Sequence, residues 1–144
     1  MIKQTKRPAF TAIYMSLARQ LAQRSTCKRL QVGCVITSTD FRKVLSVGYN
    51  GTATGLKHQC REDLPGNCGD LHAEMNAIIN CDAPRGTPKI IFVTHLPCEM
   101  CAKGIINLGD VERVYYGENY RSQLARYYFN NAGIAHKQIT CEVK

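Results

Sequence analysis

No stretch of this sequence approaches the roughly 20 consecutive apolar residues that a membrane helix needs. Residues 1–8 also lack the apolar core of a secretory signal, so export is not expected and the chain is read as cytoplasmic. Without a secretion signal, the 8 cysteines point to thiols and metal ligands and away from a disulfide framework. Acidic residues are missing from residues 1–39, a segment that carries Lys3, Lys6, Arg7, Arg19, Arg24, Lys28 and Arg29. Together with a formal net charge of +8, this gives either a solvated basic face or a surface suited to phosphates, on a nucleotide or a nucleic acid. Internal repeats and low-complexity tracts are absent too. One domain over residues 1–144, with one core, is expected.

What is present reads as alternating elements. Phe10, Ile13, Tyr14, Leu17 and Leu21 recur at helical spacing behind Pro8. Residues 31–37 and 43–49 read as two strands joined by a polar connection, a hairpin. A long loop over residues 52–69 precedes Asp70, a candidate N-cap for a second helix reaching Cys81. Then come a strand at 89–94, a helix opened by Pro97, a strand at 111–116, a helix from Tyr120 to Asn131 stopped by Gly133, and a last, edge strand at 135–143. The order α-β-β-α-β-α-β-α-β predicts an α/β fold, a three-layer sandwich in which helices cover a mixed five-stranded sheet.

The chemistry is concentrated between Leu71 and Cys101. His72 and Glu74 stand two apart, and Cys98 and Cys101 form a Cys-x-x-Cys pair behind Pro97. One imidazole and two thiolates hold Zn²⁺ with a fourth position open to water. Residues two apart on a helix diverge by ~200° about its axis, so His72 and Glu74 share a pocket only from the first turn. Cys98 and Cys101 share a face at a second helix start, where the helix dipole favours thiolate. A structural zinc with Glu74 as fourth ligand is the bland alternative. A catalytic zinc with Glu74 moving protons is the reading favoured here, because the conjunction His-x-Glu with Pro-Cys-x-x-Cys is the signature of zinc-dependent nucleobase deaminases.

The run His72-Ala73-Glu74-Met75-Asn76-Ala77-Ile78, with Gly48-Tyr49-Asn50-Gly51 upstream, resembles the deoxycytidylate (dCMP) deaminases, and the resemblance extends from Gln31-Val32-Gly33 to Asn131-Ala132-Gly133. It implies hydrolytic deamination of dCMP to dUMP and ammonia, with His72, Cys98 and Cys101 on zinc and Glu74 as proton shuttle. It implies that Asn50 contacts the substrate sugar, although Asn-Gly also suits a tight turn, and that Tyr120 lies near the sugar and phosphate, although Tyr120 also suits a helix start. By the same resemblance the protein is a homohexamer, activated by dCTP and inhibited by dTTP, each carrying Mg²⁺. The effector would meet Gly48, Tyr49, Asn50 and Gly51, with Lys28 as a candidate phosphate contact alongside Ser25 and Arg29.

Some relatives hold a second, structural zinc. Here Cys27, Cys60 and Cys68 are candidate ligands, with His58 or Asp70 as a fourth, against the alternative of free thiols that pack. Cys34, Cys81 and Cys141 read as small core residues. His95 departs from the family pattern, as a third imidazole near the zinc or a strand-end residue bonded to backbone. The competing substrates are dCTP alongside dCMP, or adenosine in tRNA, for which the basic first 39 residues are the supporting feature. A non-enzymatic zinc protein is the third reading, disfavoured because a structural site has no use for Glu74.

Overall fold

A computed structural model describes residues 6–58 and 69–140. The elements follow the expected order: α1 (Phe10–Ala22), β1 (Gly33–Ser38), β2 (Val44–Tyr49), α2 (Ala73–Asn80), β3 (Lys89–His95), α3 (Glu99–Leu108), β4 (Val111–Glu118), α4 (Leu124–Ala132) and β5 (Ala135–Gln138). The five strands form one sheet in the order β2-β1-β3-β4-β5. β1 runs antiparallel to both β2 and β3, while β3, β4 and β5 are parallel, so the sheet is mixed as expected.

Alternation along the strands sorts the core into two layers. Val35, Ile90, Phe92 and Tyr115 face α1. Cys34, Ile36, Ile91, Val93, Val114 and Tyr116 face the other way, onto Ala73 and Ala77 of α2, Ala102 and Ile105 of α3, and Ala125 and Phe129 of α4. Cys34 is thus the small core residue that was expected, and Cys141 lies outside the described residues. Among the described residues no helix is long and apolar enough to cross a membrane.

Helix α1 packs Tyr14, Leu17 and Leu21 of the expected stripe half-buried against the sheet, but the centre of its buried face is shifted onto neighbouring positions. Met15, Ala18 and Ala22 are covered, whereas Phe10 and Ile13 remain 48% and 44% exposed. The reason is Gly33: a Cβ there would overlap the Ala18 carbonyl, so α1 crosses β1 backbone to backbone and only small residues fit beneath it. The aromatic row lies alongside instead, with Tyr14 tilted over Phe92 at a centroid distance of 5.5 Å. Gly48 plays the same part for α2, since a Cβ there would run into the Ala73 carbonyl and the Ala77 backbone. Both glycines set helix-to-strand distance, and α2 carries the chemistry. Gly33→Ala and Gly48→Ala should each cost roughly 1–3 kcal/mol of folding stability, seen as a lower urea midpoint at unchanged slope. Only Gly48→Ala should also weaken zinc binding; equal zinc affinity in the two folded variants would contradict this.

Strand β5 is shorter than residues 135–143 suggested, although Ile139 still donates to the Tyr116 carbonyl at 2.7 Å. Lys89, at the start of β3, is 1% exposed. Its ammonium donates to the carbonyls of Thr87 (2.7 Å) and Gly109 (3.0 Å), tying the strand to the end of α3.

Candidate active site

Strand β3 ends at His95, and Leu96-Pro97-Cys98 carries the chain into α3. Pro97 does not open the helix itself: Cys98 is the N-cap, and its sulfur accepts the Cys101 N–H at 3.4 Å. The start of α2 differs more. Asp70 is not its N-cap, because Leu71 pairs with Gly51 in an isolated antiparallel bridge and the chain stays extended through His72 (φ −69°, ψ 154°). His72 takes the N-cap position with no side-chain cap bond, which leaves its ring for another task. Glu74 follows inside the first turn and is 4% exposed. The requirement that His72 and Glu74 sit at a helix start is met.

The two helix starts converge. His72 Nδ1 lies 3.4 Å from Cys98 Sγ and 3.5 Å from Cys101 Sγ. All three donor atoms fall within 4.8 Å of one another, and no other group of three or more candidate ligands does so among the described residues. Zn–S bonds of about 2.3 Å and a Zn–N bond of about 2.0 Å at a tetrahedral angle require S···N separations of ~3.5 Å. The triad therefore fits zinc in both donor type and spacing. The Cys101 thiol donates to Cys98 and, with His72, holds the Cys98 sulfur well below the usual thiol range; that same bond to Cys98, and then burial, push Cys101 up. Burial raises the Glu74 carboxyl to about 7, against its own backbone N–H and the His72 charge, which favour the ionised form. Cys34, fully buried beneath Glu74 in the sheet, has its thiol pushed well up by desolvation and then by the Glu74 charge.

A cavity opens above this centre, lined by His72, Glu74, Asn50, Tyr120 and His95. Asn50 is 7% exposed and makes no tight turn. Its Oδ1 accepts the Val32 N–H at 2.9 Å and its Nδ2 donates to the Leu30 carbonyl at 2.8 Å, clamping the approach to β1 against the end of β2. Tyr120 precedes α4 and is not part of it, since that helix begins at Leu124. Burial raises the Tyr120 phenol, which keeps its proton and can donate. His95 is partnered by a side chain where a backbone bond was expected, its Nδ1 2.9 Å from Thr94 Oγ1, and it is not in the ligand triad. Burial and the Arg19 charge lower its pKa against Glu118, so it stands neutral.

Arg29, Arg121 and Asp70 also line the cavity. Arg29 was named among phosphate contacts, but Arg121, whose guanidinium lies 4.9 Å from the Tyr120 ring centroid, was missed. Its signal was a cation directly beside a flagged tyrosine. Asp70 lines the cavity with its side chain 3% exposed.

The remaining expectations separate. Of the second-metal candidates, Cys27 is buried and lines the same cavity, and Cys60 and Cys68 lie outside the described residues. His58 Nδ1 is 2.9 Å from Thr52 Oγ1 and 3.8 Å from Asp70 Oδ1. Gly48, expected to admit a nucleotide, instead admits α2. Tyr49 lies under Arg24 at 5.6 Å and accepts from Asn76 Nδ2 at 2.9 Å, Gly51 pairs with Leu71, and Lys28 is exposed.

Comparison with known proteins decides what kind of site this is. Residues 10–118 match the family profile described as the cytidine and deoxycytidylate deaminase zinc-binding region. The chain belongs to that family. Within it, this deaminase groups with the deoxycytidylate deaminases. It is 37% identical over 142 residues to ComE operon protein 2 of Bacillus subtilis, covering 93% of this chain and 73% of that one. It is 32% identical over 147 residues to the deoxycytidylate deaminase of Saccharomyces cerevisiae, covering 93% of this chain but only 46% of the yeast protein. Its fold superposes with a TM-score of 0.82 on the dCMP deaminase of cyanophage S-TIM5 solved with dCMP and dUMP, at 30% identity, covering 94% of this chain and all of that one.

Proposed function

We propose that this chain, as one catalytic domain, hydrolyses dCMP to dUMP and ammonia. The observation that carries the reading is Glu74, buried at the helix start that also supplies His72 to the metal triad. A purely structural zinc gives no reason to bury a carboxyl there. When bound by His72, Cys98 and Cys101, zinc lowers the pKa of water towards about 7 and so supplies the nucleophile at neutral pH. Glu74 takes the proton that the water gives up and delivers it to the ring nitrogen beside the carbon bearing the amino group. It then relays a proton to the departing ammonia, and the amine becomes a carbonyl. Burial, which favours the protonated form of this carboxyl, suits a group that must take up a proton and pass it on. Support for dCMP as substrate comes from the cyanophage enzyme, whose structure holds dCMP and dUMP.

Asn50 and Tyr120 are assigned to the sugar, and Arg29 and Arg121 to the 5′-phosphate. Charge-assisted bonds of about 1.5–3 kcal/mol each lead us to expect Arg121→Ala and Arg29→Ala to raise KM for dCMP about 10- to 100-fold. The rate on deoxycytidine, which has no phosphate, should change little, and equal losses on both substrates would remove these arginines from phosphate binding.

The finer proposals are a homohexamer, activation by Mg·dCTP, inhibition by Mg·dTTP at a site drawing on Tyr49, Asn50, Gly51 and Lys28 but not on Gly48, which α2 covers, a cytoplasmic location, and a second zinc held by Cys27, Cys60, Cys68 and His58. The test is a substrate panel of dCMP, dCTP and tRNA, the first repeated with each effector. Turnover of dCMP that rises with Mg·dCTP and falls with Mg·dTTP supports both substrate and regulation; turnover without either effect removes the regulation alone. Turnover of dCTP as well would make the enzyme dual. Activity on tRNA only, with binding that falls steeply with salt, would overturn the dCMP reading.

A further inference from the structure

Asp70 is fixed on three sides and short of one partner. The backbone exchange between Leu71 and Gly51 (2.8 and 3.1 Å) pins the segment just after it to the end of β2. Its Oδ1 accepts the Thr52 hydroxyl at 3.2 Å, and behind that pair stands His58, 2.9 Å from Thr52 Oγ1. Oδ2 is buried without a hydrogen-bond partner among the described residues. The side chain is 3% exposed and lines the catalytic cavity together with Asn50, His72 and Glu74.

A buried carboxylate oxygen without a donor is costly, on the order of 1–3 kcal/mol or more. Such an oxygen at a cavity wall is satisfied by a donor that arrives with the ligand. The groups of a deoxycytidine nucleotide narrow the choice. Its phosphate has no proton to give at neutral pH and is repelled by Asp70. Its exocyclic amine must lie at the zinc triad and Glu74 if it is to leave. The sugar 3′-hydroxyl is the one neutral donor that remains. A cation shared with His58 is the rival partner for this oxygen, and zinc content in the Asp70 variants separates the two.

We propose that Asp70 Oδ2 accepts a hydrogen bond from the sugar 3′-hydroxyl of the bound nucleotide, and that Asp70 is a specificity-determining residue of this site. Thr52 and His58 position it by holding Oδ1. The inference rests on the dCMP reading above and adds a discrimination that reading does not contain: an analogue without the 3′-hydroxyl leaves the carboxylate unpaired and is rejected.

The test compares dCMP with 2′,3′-dideoxycytidine 5′-monophosphate in the zinc-loaded wild type, in Asp70→Ala and in the isosteric Asp70→Asn. Wild type should favour dCMP in kcat/KM by at least tenfold, and the ratio should fall to within about twofold of unity in Asp70→Ala. Calorimetric binding of dUMP and its 3′-deoxy counterpart should show the same collapse without relying on turnover. Asp70→Asn, which preserves packing should the alanine variant fold poorly, should give a ratio below wild type. A ratio unchanged in both variants, or no wild-type preference, overturns the inference while leaving dCMP deamination standing. Loss of one zinc per chain with the ratio unchanged assigns Asp70 to a metal and also overturns it. Wild type that turns over neither nucleotide overturns the dCMP reading and this inference with it.

Discussion

Glu74→Gln should keep its zinc and lose kcat by at least about 10³-fold, within the range for removing a general acid–base group that acts more than once in a cycle. The amide preserves the size of the side chain at a 4% exposed position, and none of the three ligands is touched. What it lacks is the ability to accept a proton and pass it on. Zinc content by atomic absorption and steady-state dCMP turnover check the two halves separately. Wild-type turnover in a zinc-replete Glu74→Gln would remove Glu74 from the mechanism. Loss of zinc along with activity would make Glu74 a ligand and return the site to a structural reading.

Cys98→Ala should abolish turnover by a different route. It removes one of three ligands and the sulfur that accepts the Cys101 N–H at the start of α3. The metal ties α2 to α3, so its loss is also a loss of folding free energy. At free zinc a thousandfold above Kd that coupling is worth about 4 kcal/mol, on the order of 10 °C in Tm for a chain of this size. Thermal unfolding of wild type and variant, each with and without zinc, measures it. The prediction fails if Cys98→Ala unfolds at the wild-type temperature in the presence of zinc. The same metal analysis counts zinc per wild-type chain: two, falling to one in Cys98→Ala, supports the second site, and one, falling to none, removes it.

Much of this was legible in the residues. Element order and sheet type followed from apolar periodicity punctuated by Pro8, Pro97 and Gly133, because those signals are local. The triad was legible because its ligands come in two short motifs, each at a helix start. What was not legible depends on approach across the fold. Gly48 looked like room for a nucleotide and proved to be room for a helix, a distinction that only the position of Ala73 and Ala77 reveals. Asp70 looked like a helix cap because its type and offset are right. The bridge between Leu71 and Gly51 delays the helix and turns the carboxylate's hydrogen bonding to Thr52 instead. Asn50 was flagged for the sugar on resemblance alone, and its clamp on Leu30 and Val32 depends on residues about 20 positions away. No periodicity encodes such a contact.

The measurement that bears most directly on the central claim is conversion of dCMP to dUMP by the purified protein, followed by ultraviolet absorbance and ammonia release. It should be made on protein stripped by a chelator and again after zinc is restored. The account predicts no turnover when stripped, and one ammonia per dUMP when reloaded. Failure to deaminate dCMP with zinc bound at His72, Cys98 and Cys101 would contradict it.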